Sequence, residues 1–374
     1  MNMSDKNVVV NVKKLKKYFP VRGGLMSSLG GSKEQKFVHA VDNISFKIHE
    51  GEVLSLVGES GCGKTTTGRL LTRLEDPTSG HIYFHKKDIA NMEGKELKAF
   101  RRNVQMIFQD PYESLNPRLT VFSTVSEPLI VHHVGDTIDE REDLVAKALE
   151  AAELKPAMEY LHRYPHELSG GQRQRVAIAR ALALRPEFIV ADEPVSMLDV
   201  SIRSGILNLL LDLKDRYNIP YLFITHDLSV ARYMSNKIGV MYLGTIVETG
   251  DSEAVIKNPH HPYTRALLSS VPVPDPHYER ERKKIKGDLP SPIDVPKGCR
   301  FHPRCPFAKK GICDKKDPPV IEVEPGHTVK CHFAADIPAM DEQADSSIEE
   351  NMELGEQLLK ETMNTSEDEE MEFV

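Results

Sequence analysis

The stretch Gly58-Glu59-Ser60-Gly61-Cys62-Gly63-Lys64-Thr65 decides how the rest of the chain is read. It fits G-x-x-x-x-G-K-[ST], the phosphate-binding P-loop. The apolar run Glu52–Val57 before it reads as a buried strand, and Thr66–Leu74 after it can continue as a helix. Gly58, Gly61 and Gly63 let the backbone turn tightly and bring N–H groups towards phosphate oxygens. The helix start adds the positive end of its dipole. Lys64 supplies a point charge for β- and γ-phosphates, and Thr65 a hydroxyl for Mg²⁺.

The chain has 374 residues, enough for one large domain or two. Its net charge of -8 is unevenly spread. The segment from Asp336 to Val374 carries 14 acidic residues against Lys360 alone, and the remainder is slightly basic. No apolar run approaches the ~20 residues needed to span a bilayer, and Met1–Lys17 lacks the apolar core of a signal peptide. A cytosolic protein is expected, with any membrane role coming through a partner. Of five cysteines, Cys62 lies in the P-loop and Cys299, Cys305, Cys313 and Cys331 fall in one short segment. In a reducing compartment such a group suggests a metal site rather than disulfides.

Outward from the P-loop, Val8–Leu15, Val38–Ile48, His81–Phe84 and Val104–Phe108 read as strands, the last two bracketing the polar Lys86–Arg102. Arg22–Lys33 is rich in Gly and Ser and reads as a loop. From Pro111 to His166 the pattern is helical, with Leu144, Ala148 and Leu149 on one face of Asp139–Leu154. Gly170–Leu184, Val200–Tyr217 and Leu228–Met234 read as helices; Phe188–Ala191, Tyr221–Thr225, Ile238–Tyr242 and Thr245–Glu248 read as strands. Strands alternating with helices imply an α/β fold with a mainly parallel sheet, and the early strands suggest an antiparallel β edge. After Asn258 prolines cluster, which suggests an irregular appended module. The acidic end, with few aromatic residues, reads as disordered, Met352–Thr362 excepted as a transient helix.

Phe188-Ile189-Val190-Ala191-Asp192-Glu193 is an apolar strand ending in two acids. Asp192 suits the Mg²⁺ shell, and Glu193 is placed to polarise an attacking water as a general base. Leu168-Ser169-Gly170-Gly171-Gln172 leads into a helix, and a Gly-Gly helix start is again an anion site. With this stretch the chain resembles the ATP-binding cassette (ABC) ATPases, for which LSGGQ is the signature.

The resemblance covers roughly Val8 to Phe333 and carries further roles. It implies that ATP is held by Gly58, Glu59, Ser60, Gly61, Cys62, Gly63, Lys64, Thr65 and Thr66 of one subunit. Ser169, Gly170, Gly171 and Gln172 of a second subunit then close the sandwich. Gln109 looks like the glutamine that touches Mg²⁺ and the nucleophilic water, so Mg²⁺ would be held by Thr65, Gln109 and Asp192. Ser196-Met197-Leu198-Asp199 resembles the D-loop and places Asp199 at the site, with Met197 where alanine is usual. His226 matches the switch histidine that contacts the γ-phosphate. Tyr18-Phe19 matches the adenine-stacking position, Phe19 being preferred.

Two stretches narrow the family. Gln109-Asp110-Pro111 with Ser114-Leu115-Asn116-Pro117-Arg118 is similar to the ATPases of oligopeptide and dipeptide importers. Pro259-His260-His261-Pro262-Tyr263-Thr264 looks like the opening of their C-terminal extension, and the Arg22–Lys33 loop like the F-type subunit. Importers of nickel and other small solutes share much of this. The divisions are an ATPase domain at 1–257, with its helical insert at 111–166, an extension at 258–335 and an acidic tail at 336–374.

The spacing C-x5-C-x7-C-x17-C lacks the close pairs of zinc ribbons, and four thiolates suit Zn²⁺ or an iron–sulfur cluster alike. His302, His327 and His332 lie near enough in sequence to substitute in a zinc site. The resemblance favours a [4Fe–4S] cluster in a structural role. It also implies a heterodimer with a sister ABC ATPase, two membrane permease subunits and an external solute-binding protein, with the chain peripheral on the cytoplasmic face of the membrane and no nucleic-acid partner. The competing classes are a soluble ABC ATPase of DNA repair or translation and a redox-sensing regulator. About a hundred residues without sustained heptads separate P-loop from signature, which disfavours the coiled-coil repair type.

Overall fold

The computed structural model describes residues 7–21, 35–270 and 287–337. The Gly/Ser-rich loop, the prolines at 272–276 and all but the start of the acidic tail lie outside them.

The chain begins as a long antiparallel pair, β1 (Val8–Pro20) with β2 (Phe37–His49). Branched residues at Val10, Val12, Val41, Ile44 and Ile48 fill its buried face, and register shifts along the pair interrupt the period-two alternation of a half-buried strand. β3 (Val53–Val57) is buried throughout and runs into the P-loop and α1 (Lys64–Leu71). β4 (Ser79–Phe84) and β5 (Lys87–Asp88) return to the first pair, giving a four-stranded sheet in the order β2-β1-β4-β5. The early strands thus form a sheet of their own rather than an edge of the parallel one.

The polar stretch before residue 104 contains α2 (Gly94–Asn103), anchored by buried Phe100. β6 (Val104–Ile107) follows, and Gln109 lies just beyond its end. Next come α3 (Pro111–Ser114), α4 (Val121–Val131) and α5 (Ile138–Ala151). Thr120 caps α4 through the Ser123 amide, and Thr137 and Glu140 form a capping box on α5. Val125, Leu129, Val145 and Leu149 of this insert share one core with α6 (Gly170–Leu182).

β7 (Phe188–Asp192), α7 (Val200–Tyr217), β8 (Tyr221–Ile224), α8 (Leu228–Met234) and β9 (Lys237–Tyr242) complete the alternation. β9, β3, β8, β7 and β6 pair in parallel in that order. β3, β7 and β8 are buried on both faces, so their sequences are near-continuous apolar runs.

β10 (Thr245–Asp251) turns back antiparallel on β9. α9 (Ser252–Lys257) and α10 (Pro262–Ser269) follow it. The C-terminal segment is not wholly irregular: β11 (Val320–Glu324) and β12 (His327–Lys330) extend the main sheet to the order β11-β12-β10-β9-β3-β8-β7-β6. Glu248 of β10 anchors this join. It is buried, accepts from the His260 and His261 amides at 2.7 and 3.0 Å, and lies 2.8 Å from His327 Nε2. A buried carboxylate is tolerable only with such partners.

Candidate active site

The site lies at the carboxyl ends of four neighbouring strands, β3, β8, β7 and β6, where open α/β sheets bind ligands. The P-loop leaves β3 at Gly58, whose φ is +152°; a Cβ there would lie 2.2 Å from the Met241 carbonyl oxygen. Gly63 has φ +109°, and its Cβ would meet the Ala40 oxygen at 2.1 Å. Only glycine lets the loop pass between β9 and β2 in this way. Lys64 is buried, and its ammonium donates to the carbonyls of Gly58 at 2.7 Å and Glu59 at 3.2 Å, across the loop. Cys62 is fully buried, and burial pushes its thiol pKa up.

Thr65 Oγ1 donates to Asp192 Oδ1 at 3.1 Å, joining the P-loop helix to the end of β7. Burial raises the Asp192 pKa to about 6, the Thr65 hydrogen bond works against this, and Glu193 beside it adds to the rise. A buried carboxyl next to another acid is poised to take a cation. Glu193 follows with φ +47°, a left-handed turn that redirects its side chain. Its Oε2 accepts from Gln109 Nε2 at 3.4 Å and lies 3.1 Å from His226 Nδ1. Gln109, Glu193 and His226 therefore come together from three strands.

Ser169 and Gln172 close a capping box at the start of α6: Ser169 Oγ accepts from the Gln172 amide at 3.2 Å, and Gln172 Oε1 from the Ser169 amide at 3.0 Å. Ser169 is exposed. Gly171 packs on α7, where a Cβ would lie 2.7 Å from Ile202 Cγ2. Among the described residues, no hydrogen bond or ion pair links this turn to the P-loop. Asp199 is exposed at the start of α7, and Met197 is exposed beside it.

Tyr18 and Phe19 are neighbours on a strand and face opposite ways. The Tyr18 hydroxyl donates to Asp42 Oδ1 at 2.7 Å, and its ring lies 4.2 Å from that of His39. Burial, with Asp42 beside it, pushes the phenol pKa up. Phe19 has the Lys17 ammonium 4.6 Å from its ring centre.

Cys299, Cys305, Cys313 and Cys331 are free thiols lining one cavity of about 20 Å³, together with His261 and His302. Burial pushes Cys299 up to about 11 and Cys305 up to about 12, and neighbouring cysteines add to both shifts. Among the described residues, no three His, Cys, Asp or Glu side chains are gathered closely enough to hold a single ion. His327, weighed as an alternative ligand, is instead engaged with Glu248.

Sequence reasoning missed the residues that join the extension to the P-loop. Arg304 pairs with Glu59, and the Glu59 amide donates to the Tyr263 hydroxyl. Tyr263 stood in a quoted motif; Arg304 carried no signal beyond its place before Cys305.

A P-loop, a strand-end acid pair and a converging glutamine and histidine define a nucleoside-triphosphate hydrolase. Residues 41–196 match the ABC transporter family, and residues 247–313 the C-terminal region of oligopeptide/dipeptide transporters. The chain is 49% identical over 336 residues to the oligopeptide transport ATP-binding protein AppF of Bacillus subtilis, covering 89% of this chain and 99% of that one. It is 45% identical over 333 residues to the probable peptide ABC transporter ATP-binding protein y4tS of Sinorhizobium fredii, covering 89% and 91%. The structure of the ATP-binding cassette MJ0796, solved as a dimer bound to ADP and Pi, aligns with TM-score 0.56 and 32% identity, over 65% of this chain and 98% of that one. The chain belongs to the ABC transporter family, in the branch that carries the oligopeptide/dipeptide C-terminal region, and it is an ATP hydrolase. No helix among the described residues is long and apolar enough to cross a membrane.

Proposed function

We propose that this chain powers import of oligopeptides or dipeptides from the cytoplasmic face of a membrane. It does so as one of two unlike ATPase subunits bound to two permeases fed by an external solute-binding protein. The observation that carries the ATPase mechanism is the convergence of Gln109 and His226 on the Glu193 carboxylate, beside the Thr65–Asp192 pair. Lys64 and the amides of Gly61–Thr66 hold the phosphates, while Thr65, Gln109 and Asp192 hold Mg²⁺. Glu193 takes a proton from the attacking water, and His226 orients Glu193 and contacts the γ-phosphate. Tyr18 is committed to Asp42 and His39, which favours Phe19 as the surface under the base. Ser169, Gly170, Gly171, Gln172 and Asp199 serve the nucleotide on the opposing subunit. The cargo class rests on the relatives' names and the matched C-terminal region.

The four cysteines hold a [4Fe–4S] cluster in this reading. The four free cysteines line one cavity, and buried thiols that raise one another become thiolates only against compensating positive charge. When bound, such a group ties together loops that have little core of their own.

The test is capture of tagged Glu193→Gln from solubilised membranes with ATP, with assay of iron and acid-labile sulfide. Two multi-span permeases, a second ABC ATPase and about four irons per chain are expected. Purely soluble partners would overturn the importer reading, and stoichiometric zinc would overturn the cluster.

A further inference from the structure

The P-loop is held from outside the ATPase core. Arg304 makes a two-pronged ion pair with Glu59, Nη1 to Oε2 at 2.9 Å and Nη2 to Oε1 at 3.1 Å. Parallel guanidinium–carboxylate bonds fix orientation as well as distance. The Glu59 amide donates to the Tyr263 hydroxyl at 2.9 Å, so both the backbone and the side chain of one P-loop residue are tied to the extension. Tyr263 is fully buried, and its ring lies 5.5 Å from Phe301 and 4.7 Å from Tyr242.

A second tie runs four residues earlier. Arg300 donates to Asp42 Oδ2 and to the Leu243 carbonyl. Asp42 accepts from the Tyr18 hydroxyl at 2.7 Å, and the Gly244 amide donates to the Cys62 carbonyl at 2.8 Å. One arginine thus reaches the end of β1, and the other the start of the P-loop. Both arise from the short loop between Cys299 and Cys305. That loop is folded by its own bonds, from the His302 amide to the Cys299 oxygen and from the Arg304 amide to the Phe301 oxygen, each 3.0 Å.

We infer that the Cys299–Cys305 loop is a positioning element of the nucleotide site, with Arg304 and Tyr263 setting the P-loop through Glu59 and Arg300 setting the aromatic end of β1 through Asp42. Arg304, Arg300 and Tyr263 touch no reacting atom in this scheme. They act by holding the first turn of the P-loop, so the shape of the cysteine-bounded loop becomes a determinant of nucleotide affinity. The inference rests on the P-loop reading above.

The experiment measures Kd for a fluorescent ATP analogue on the full chain for Arg304→Ala, Glu59→Gln, their double variant, Tyr263→Phe and Lys64→Ala. Arg304→Ala and Glu59→Gln should each weaken binding about five- to tenfold, within the usual span of coupling between sites. The double variant should be no weaker than either alone, because both remove one interaction. In the assembled transporter the KM for ATP should rise by the same factor while kcat at saturating ATP holds. A loss confined to kcat would instead report fewer folded molecules and count against the inference. Unchanged affinity in Glu59→Gln overturns it, and that variant decides if Arg304→Ala fails to fold. If Lys64→Ala also binds normally, the P-loop reading itself has failed; if Lys64→Ala alone loses binding, only the positioning role has.

Discussion

Two glycine-rich turns in this chain each open a helix, and they are built to opposite ends. The P-loop turn is held on every side: Met241 and Ala40 crowd its glycines, Asp192 meets Thr65, and Arg304 and Tyr263 hold Glu59. The signature turn at Ser169–Gln172 satisfies itself with a capping box and presents an exposed Ser169. A held turn fixes a ligand within its own subunit. A self-satisfied, outward-facing turn is made to meet something arriving from outside, and a nucleotide on a second subunit fits that role.

The largest expected effect separates chemistry from binding on the held side. Glu193→Gln keeps the hydrogen bonds to Gln109 and His226 geometrically possible but removes the base. Turnover should fall about 10²–10⁴-fold, the usual worth of a general base, while ATP affinity stays near that of the unaltered chain. Single-turnover assays in the assembled complex check it, and near-normal hydrolysis would remove Glu193 from the role.

Next in size is the outward turn. Gly170→Asp, whose Cβ would meet only Leu198 Cδ2 at 3.6 Å, places a carboxylate where the opposing γ-phosphate is expected. Turnover of the assembled complex should drop about a hundredfold, comparable to losing a transition-state contact, with the isolated chain's ATP affinity unmoved. If that affinity collapsed as in Lys64→Ala, the turn would be acting on its own P-loop, and the contrast between the two turns would be lost.

The two halves of the molecule also differed in how well they could be read. The P-loop, the Asp192–Glu193 strand end and the signature were legible because each chemistry demands fixed residue types at fixed spacing, glycines at Gly58 and Gly63 above all. Gln109 and His226 were singled out by the resemblance to the ABC ATPases, each supported by its place just after an apolar strand. By contrast β11 and β12 are only five and four residues long, and β12 pairs with β10 through only Glu248 and Thr249. Strands this short offer too few residues for their alternation to stand out, and their position depends on a sheet edge formed some eighty residues earlier in the chain. α2 hid in a polar stretch because Phe100 alone among its residues is buried. The Arg304–Glu59 pair spans 245 positions and joins two charged residues that look like any surface pair in sequence.

A smaller effect comes from the raised pKa of Asp192. Its folded value of about 6 stands above the ordinary 3.8, so the folded chain binds this proton more tightly than the unfolded chain does. Stability without Mg²⁺ therefore falls as pH rises from about 4 to about 6, and stays lowered above that. Asp192→Asn should relieve the strain and stabilise the metal-free chain by about 1–3 kcal/mol at pH 7.5. The same variant should lose Mg²⁺-dependent nucleotide binding, and the unaltered chain should lose it as pH falls through about 6. Thermal melts with and without Mg²⁺ read both signs; a destabilised Asp192→Asn would mean the carboxylate is better solvated than its burial implies.

The smallest effect sharpens the contrast between the turns. Ser169→Ala deletes a cap whose oxygen takes the Gln172 amide, and an exposed helix start loses about 1 kcal/mol for such a change. For a chain of this size that is a fall in Tm of only about 1–2 °C. Because Ser169 is exposed, the loss of its hydroxyl should leave folding and single-chain ATP affinity nearly intact. Its larger cost should appear in the paired state, if the hydroxyl and the amides of Gly170 and Gly171 meet the second nucleotide as proposed. Titrating ATP-driven pairing of Glu193→Gln chains with the sister ATPase, with and without Ser169→Ala, isolates that difference. If pairing is unchanged while Tm drops as expected, Ser169 serves only its own helix, and the outward turn works through its backbone alone.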